Sequence, residues 1–192
     1  MTRDAYVFMR QNIHFCENSK RISAGNIGHD PLFKVRYPLD TMMGGMRSAW
    51  NAGKHVAIDE SMILYMGRAI SYVQYMPAKP IKHGIKVFAL CCAFSAVILA
   101  FKVYVGKEDD SDGSAAAVCE NLCVSAGLTT HRGRVLYTDN YYTSINLARL
   151  MFETYGWTIV GTIVATDKNL ARIWISPSSN YPTVQGSMTY ML

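Results

Sequence analysis

Cysteine is scarce in this chain and follows no framework: Cys16, Cys91, Cys92, Cys119 and Cys123 are an odd number without regular spacing. No secretory signal is recognised ahead of them, so a disulfide-stapled scaffold is not expected and a reducing compartment is. Cys119 and Cys123 have the i, i+4 spacing of a helix face. No paired Cys/His set follows them, so they read as buried small hydrophobes rather than as zinc ligands. A membrane-length apolar run is also lacking. Residues 87–101, VFALCCAFSAVILAF, are free of charge and bracketed by Lys86 and Lys102, but a spanning helix needs about 20 apolar residues. The β-branched and aromatic content at both ends predicts two buried strands joined by a tight turn, although no Gly, Asn or Asp marks that turn. A small membrane-associated protein built on residues 85–105 is the competing reading. Internal repeats are absent.

A large charge excess is missing as well. The formal net charge is +5, modest for a nucleic-acid binder, so its distribution carries more information than its total. Residues 1–58 hold eight Lys/Arg against four Asp/Glu, residues 59–107 six against two, and residues 108–192 five against eight. The basic surplus therefore lies in the first 107 residues, the part that would face a polyanion.

At 192 residues, half of them hydrophobic, the chain can bury one substantial core. Tyr6, Met9, Ile13 and Phe15 recur at loose helical intervals before a loop rich in Gly, Asn, Asp and Pro. Residues 39–50 suggest a second short helix, interrupted by Gly44 and Gly45. From His55 the pattern changes to strands, HVAIDESMI, IKVFALCCA and AVILAFKVYV, which reads as a meander. An acidic loop over 106–114 precedes an Ala-rich helix with Gly127 at its C-cap. Then come the strand RVLYTDN, a helix over about 144–155 and the strand WTIVGTIVA. Residues 177–192 have no clear period. The expected organisation is a lead-in over 1–54, a core over 55–176 and an irregular tail over 177–192. The order β-β-β-α-β-α-β is that of a mixed α/β sheet of ribonuclease-H-like type, incomplete at its C-terminal end. In it the first and fourth of these strands can pair in parallel through a crossover helix.

Asp59 falls within the first predicted strand and Asp139 at the end of the fourth. Side by side, two carboxylates repel and raise one another's pKa unless a cation sits between them. A divalent metal pair is the usual resolution in phosphoryl-transfer sites. On the residues alone the plainer alternative stands: Asp59 as a strand-edge residue and Asp139 as the first residue of an Asp139-Asn140 turn. Glu60 points to the opposite face of the strand from Asp59 and suits a structural contact. Arg68, Lys79, Lys82 and Lys86, with His83, surround the connection after the first strand and are interleaved with Tyr72 and Tyr75. That suits phosphate contacts with stacking, or an ordinary solvated loop. Tyr141 and Tyr142 suit either a nucleic-acid strand or packing under the strand-to-helix turn. Trp157 and Trp174 read as core aromatics.

IDESMILYMGR (58–68), followed by QYMPAKPIKHGIKVF (74–88), resembles the first signature of the piggyBac transposase family. YTDNYYTSINLARLM (137–151), followed by TIVGTIVATDK (158–168), resembles the second. MRQNIHF (9–15) and DPLFKVRYPLD (30–40) are similar to the lead-in to that domain, so the resemblance covers nearly the whole chain. It implies that Asp59 and Asp139 are the first two of three catalytic, metal-binding aspartates. It implies Mg²⁺ or Mn²⁺ as cofactor, weak or absent in this chain, and DNA contacts by Arg68, Lys79, Lys82 and Lys86. It further implies DNA as partner, at transposon ends and target site, no membrane, and a nuclear location, and it admits a homodimer. The parent activity is metal-dependent cleavage and transfer of DNA strands. The family's third aspartate and its cysteine-rich zinc module have no counterpart in these residues. The expectation is accordingly a truncated copy inactive alone, with a non-catalytic, domesticated DNA-binding remnant as the alternative.

Overall fold

The alternation of buried Val56, Ile58 and Met62 with exposed Asp59, Ser61 and Ile63 makes β1 (His55–Leu64) a strand with one face inward. The computed structural model describes residues 1–67, 69–106, 114–163 and 188–191. After β1 come β2 (Val73–Tyr75), β3 (His83–Cys92), β4 (Ile98–Val103), β5 (Val135–Thr138), β6 (Thr158–Ile163) and β7 (Met188–Met191). β3 runs antiparallel to β1 along its whole length, Asp59 opposite Ala89 and Glu60 opposite Phe88. Its other edge is divided: residues 83–85 pair with β2 and residues 87–91 with β4. On the far side β1 pairs in parallel with β5, β5 in parallel with β6, and β6 antiparallel with β7. The mixed sheet thus runs β4-β3-β1-β5-β6-β7, with β2 beside β4 on the outer edge of β3.

The ribonuclease-H-like mixed α/β order expected from the sequence is present, with two strands added. β2 is three residues long, too short to leave a period-2 signal in a connection full of Gly and Pro. β7 lies in the part of the tail that had no period. The acidic residues 107–113, Trp174 and most of the tail lie outside the described residues.

The apolar run 87–101 folds into β3, a turn and β4. Ala96 takes the left-handed conformation there, φ 57°, and the turn closes through Cys92 N–H to Val97 C=O (2.9 Å) and Ala96 N–H to Cys92 C=O (2.9 Å). Among the described residues no helix is long and apolar enough to cross a membrane.

Helix α3 (Ala115–Ser125) is capped by the Ser114 hydroxyl, which accepts from Ala117 N–H (3.2 Å). Its buried face, Val118, Cys119, Leu122 and Cys123, packs against β3 and β4. Cys119 and Cys123 are the small core residues expected, and burial pushes both thiols up, Cys123 to about 12. Helix α4 (Ile145–Leu150), capped by Ser144, runs into a π-helical turn, Met151–Tyr155, that ends at Gly156 with φ 66°. Val56, Leu90, Leu136, Leu147, Met151 and Trp157 are fully enclosed and form the centre of the core.

By its internal contacts the chain divides into Met1–Gly45 and Met46–Leu192. The first unit holds α1 (Arg3–Asn12) and the start of α2 (Arg36–Ala49). Asp30 organises its loop, accepting from Leu32 N–H (2.9 Å) and from Arg36 Nε (2.8 Å) and Nη2 (2.7 Å). Of the residues expected at helical intervals, Tyr6 and Met9 lie on α1, while Ile13 is its extended C-cap and Phe15 lies beyond it; all four stay about half exposed. α2 passes through Gly44 and Gly45 without the interruption expected there, since glycine's helix penalty of about 1 kcal/mol yields to the favourable residues on either side.

Candidate functional site

β1 and β5 pair residue for residue from His55↔Val135 to Ile58↔Thr138. Asp59 continues β1 and Asp139 is the first residue past β5, each one residue beyond that last pair, so the register sets them at neighbouring positions where paired strands run about 4.8 Å apart. Ile58 and Thr138 are buried, and both aspartates are exposed. Asp59 Oδ1 accepts from Glu60 N–H (2.7 Å). Asp139 Oδ1 accepts from Tyr141 N–H (3.1 Å) and, more weakly, Tyr142 N–H (3.4 Å), an Asx turn that opens the route to α4. The Asp139 carbonyl receives Thr143 N–H (3.0 Å) and the Thr143 hydroxyl (2.5 Å), whose oxygen also lies 2.8 Å from Thr138 Oγ1. Among the described residues each Asp keeps its Oδ2 free of hydrogen bonds, and neither forms an ion pair with a lysine or arginine.

The nearby cations are held instead by Glu60. Glu60 Oε2 lies 2.8 Å from Lys86 Nζ and Oε1 lies 3.2 Å from Lys79 Nζ. Burial pushes this carboxyl up, but the hydrogen bonds from Lys86 and Lys79 outweigh it and hold the group below its ordinary value. Lys86 is enclosed by rings: its ammonium stands 4.8 Å from the centroid of Phe88, 5.3 Å from that of Tyr141 and 6.0 Å from that of Tyr104. Tyr142 is buried under the same turn, edge-on to Phe88 at 6.3 Å, with its hydroxyl unpartnered. Burial pushes its phenol up.

Of the four basic residues named from the sequence, Arg68 lies outside the described residues. Lys82 is exposed and adjoins His83, whose ring lies tilted against that of Tyr75 with centroids 4.6 Å apart. Lys79 is shared with Glu60. Lys86 points inward, its side chain 13% exposed. Tyr72 is buried and Tyr75 exposed. The sequence reading missed Thr143 and Gly161, which shape the turn at Asp139. It also missed the enclosure of Lys86, for which the signal was Lys86 lying two residues from Phe88 on one face of one strand.

Among the described residues no group of three or more His, Cys, Asp or Glu is placed to hold a metal ion. The Asp59–Asp139 pair supplies two hard oxygen donors, which fits part of a Mg²⁺ or Mn²⁺ coordination shell and leaves the rest to water or to further carboxylates.

The family model described as Transposase IS4 matches residues 1–173. Among solved structures, the cryo-EM structure of a piggyBac transposase synaptic complex with hairpin DNA superposes with a TM-score of 0.76 at 27% identity. It covers 93% of this chain, and this chain spans 37% of that one. The Mos1 transposase paired-end complex with the left transposon end matches at a TM-score of 0.34 and 14% identity over 82% of this chain and 49% of that one, a likeness too low to carry any inference.

Proposed function

The chain belongs to the Transposase IS4 family and is a piggyBac-type transposase domain, and from that premise we propose that Asp59 and Asp139 form part of the metal-binding centre of a DNA strand-transfer site. The observation that carries this reading is the parallel register of β1 and β5, which sets two exposed aspartates at neighbouring positions with no ion pair to either among the described residues. Such a pair is electrostatically unfavourable alone and becomes favourable with a bound dication. When bound, a divalent metal pair activates a water or a 3′-hydroxyl and steadies the leaving oxygen of an in-line displacement.

The protein's own part is positioning. The Asx turn and the Thr143 hydrogen bonds fix the backbone at Asp139, and the β1–β3 ladder fixes Asp59. Glu60 draws Lys86 and Lys79 to itself, which keeps their charge from occupying the aspartate pair. Exposed Lys82, with Tyr75 and His83, suits a DNA backbone approaching along β3. Two carboxylates do not complete a two-metal site, so these residues alone are proposed to bind metal weakly and not to cleave DNA. DNA as ligand, a nuclear location and a homodimer belong to the same proposal.

Thermal melting of the purified chain with and without Mn²⁺ tests it. The expected result is a Mn²⁺-dependent rise in Tm that Asp59→Asn and Asp139→Asn each abolish. No rise in a folded wild-type sample would move the reading to a non-catalytic DNA-binding module.

A further inference from the structure

We propose that the pocket at the amino-terminal ends of β1 and β5 is a phosphate-binding site, separate from the aspartate pair. Residues 51–54 and 131–134 lead into those two strands and line an open pocket of about 540 Å³. Asp59 and Asp139 lie five residues further along each strand, roughly 17 Å away at about 3.3 Å per residue. Lys54, His131, Arg132 and Arg134 contribute to the lining and no carboxylate does.

Arg134 is the reason to expect an anion there. It is 6% exposed, and its Nη1 donates to the carbonyl of Ala52 (3.1 Å) and to that of Gly53. Its guanidinium carbon stands 5.9 Å from the centroid of the Trp157 ring. Nε is buried without any hydrogen-bond partner, and no carboxylate pairs with the group among the described residues. A guanidinium withdrawn from water and given only neutral carbonyls bears a desolvation cost that an anion in the adjoining pocket offsets. Lys54 and Arg132, both exposed on the same pocket, add two further positive charges.

The walls are built before any ligand arrives. Trp157 Nε1 donates to the His131 carbonyl (2.9 Å), Gly133 N–H to Gly156 C=O (3.0 Å), Thr158 N–H to Arg134 C=O (2.9 Å) and Val135 N–H to Lys54 C=O (2.9 Å). Arg132 lies against Gly156, where a Cβ would come within 2.6 Å of its Nε. A frame that presents the exposed Arg132 fork and the Lys54 point charge matches the several acceptor oxygens of a phosphate. The openness of the pocket admits a phosphate carried on a nucleic-acid backbone as well as a free one.

This proposal does not draw on the metal-centre reading, and its test omits divalent cations so that the two stand or fall separately. The chain is titrated calorimetrically with inorganic phosphate, and with a fluorescent random-sequence duplex over a series of salt concentrations. The variants are Lys54→Gln, Arg132→Gln and the double variant, all at exposed positions, each checked by its melting curve. The expected result is phosphate binding weakened at least ten-fold in the double variant. If the DNA backbone is the source, the slope of log affinity against log salt also falls by about two. An unchanged slope beside the lost phosphate binding assigns the site to free phosphate. A wild-type chain that binds no phosphate, or a folded double variant that binds it as the wild type does, overturns the proposal.

Discussion

Lys86 and Glu60 meet across the β1–β3 ladder, Nζ to Oε2 at 2.8 Å, each side chain only 13% exposed. Glu60 follows Asp59 by one residue on β1 and faces the opposite side of the strand, and Lys86 lies on β3 opposite Met62. Removing one member of such a pair strands the other, which costs about 3–5 kcal/mol when burial is complete. With Lys79 still on Glu60, Lys86→Met is expected to cost about 2 kcal/mol in a urea melt, and Glu60→Gln/Lys86→Met less than the sum of the two single changes. Full additivity would show that the pair is not coupled.

The same carboxyl makes stability depend on pH. Its folded pKa lies below its ordinary value of 4.5, so its contribution is fully present above that value and is lost as pH falls through the folded one. The stability gap between wild type and Glu60→Gln is therefore constant at neutral pH and narrows below about pH 4.5. Melts at a series of pH values check it; a gap that widens on acidification contradicts the sign.

Gly161 of β6 lies against the turn that carries Asp139. An added Cβ would run into Thr143 Oγ1 and come within 2.8 Å of the Thr138 carbonyl and hydroxyl. Gly161→Ala is expected to destabilise the chain by about 1–3 kcal/mol and to weaken Mn²⁺ binding by moving Asp139. Wild-type stability and affinity in this variant would detach the turn from β6.

Tyr155 donates to Glu120 Oε1 at 2.6 Å, tying the π-helical turn to α3. That hydrogen bond, aided by burial, pushes the phenol up to about 12 from its ordinary 10.0. A raised pKa gives stability that is present below pH 10 and lost as pH rises through 12. Tyr155→Phe should cost about 1 kcal/mol at pH 8, and that cost should fade at higher pH. A cost independent of pH up to 12 would place the effect elsewhere.

The parallel neighbourhood of β1 and β5 was legible in the sequence, because a strand–helix–strand order permits it, but that Asp59 and Asp139 fall at the same step follows only from the register His55↔Val135 to Ile58↔Thr138. The β3–β4 hairpin was legible from the apolar run, though Ala96 supplies the left-handed turn conformation usually left to Gly or Asn. The fate of Lys86 was not. Its spacing among basic residues suggests a solvated loop; its place two residues from Phe88 points to a shared strand face, but only the register Met62↔Lys86 brings it to Glu60. Arg134 was hidden for a similar reason: arginine is ordinarily exposed, and its burial follows from Ala52 and Trp157 arriving from other parts of the chain. In α1 the helical period was legible, but periodicity does not say whether a face finds a partner.

Isothermal titration calorimetry of the purified chain with Mn²⁺ tests the central claim most directly, with Asp59→Ala, Asp139→Ala and Glu60→Gln compared with wild type. The account predicts a binding heat in the wild type that is lost in both aspartate variants and retained in Glu60→Gln, whose carboxyl serves Lys86 and Lys79 rather than the metal. A heat that survives in either folded aspartate variant, or a folded wild type that shows none, would contradict the convergence of Asp59 and Asp139 on one cation.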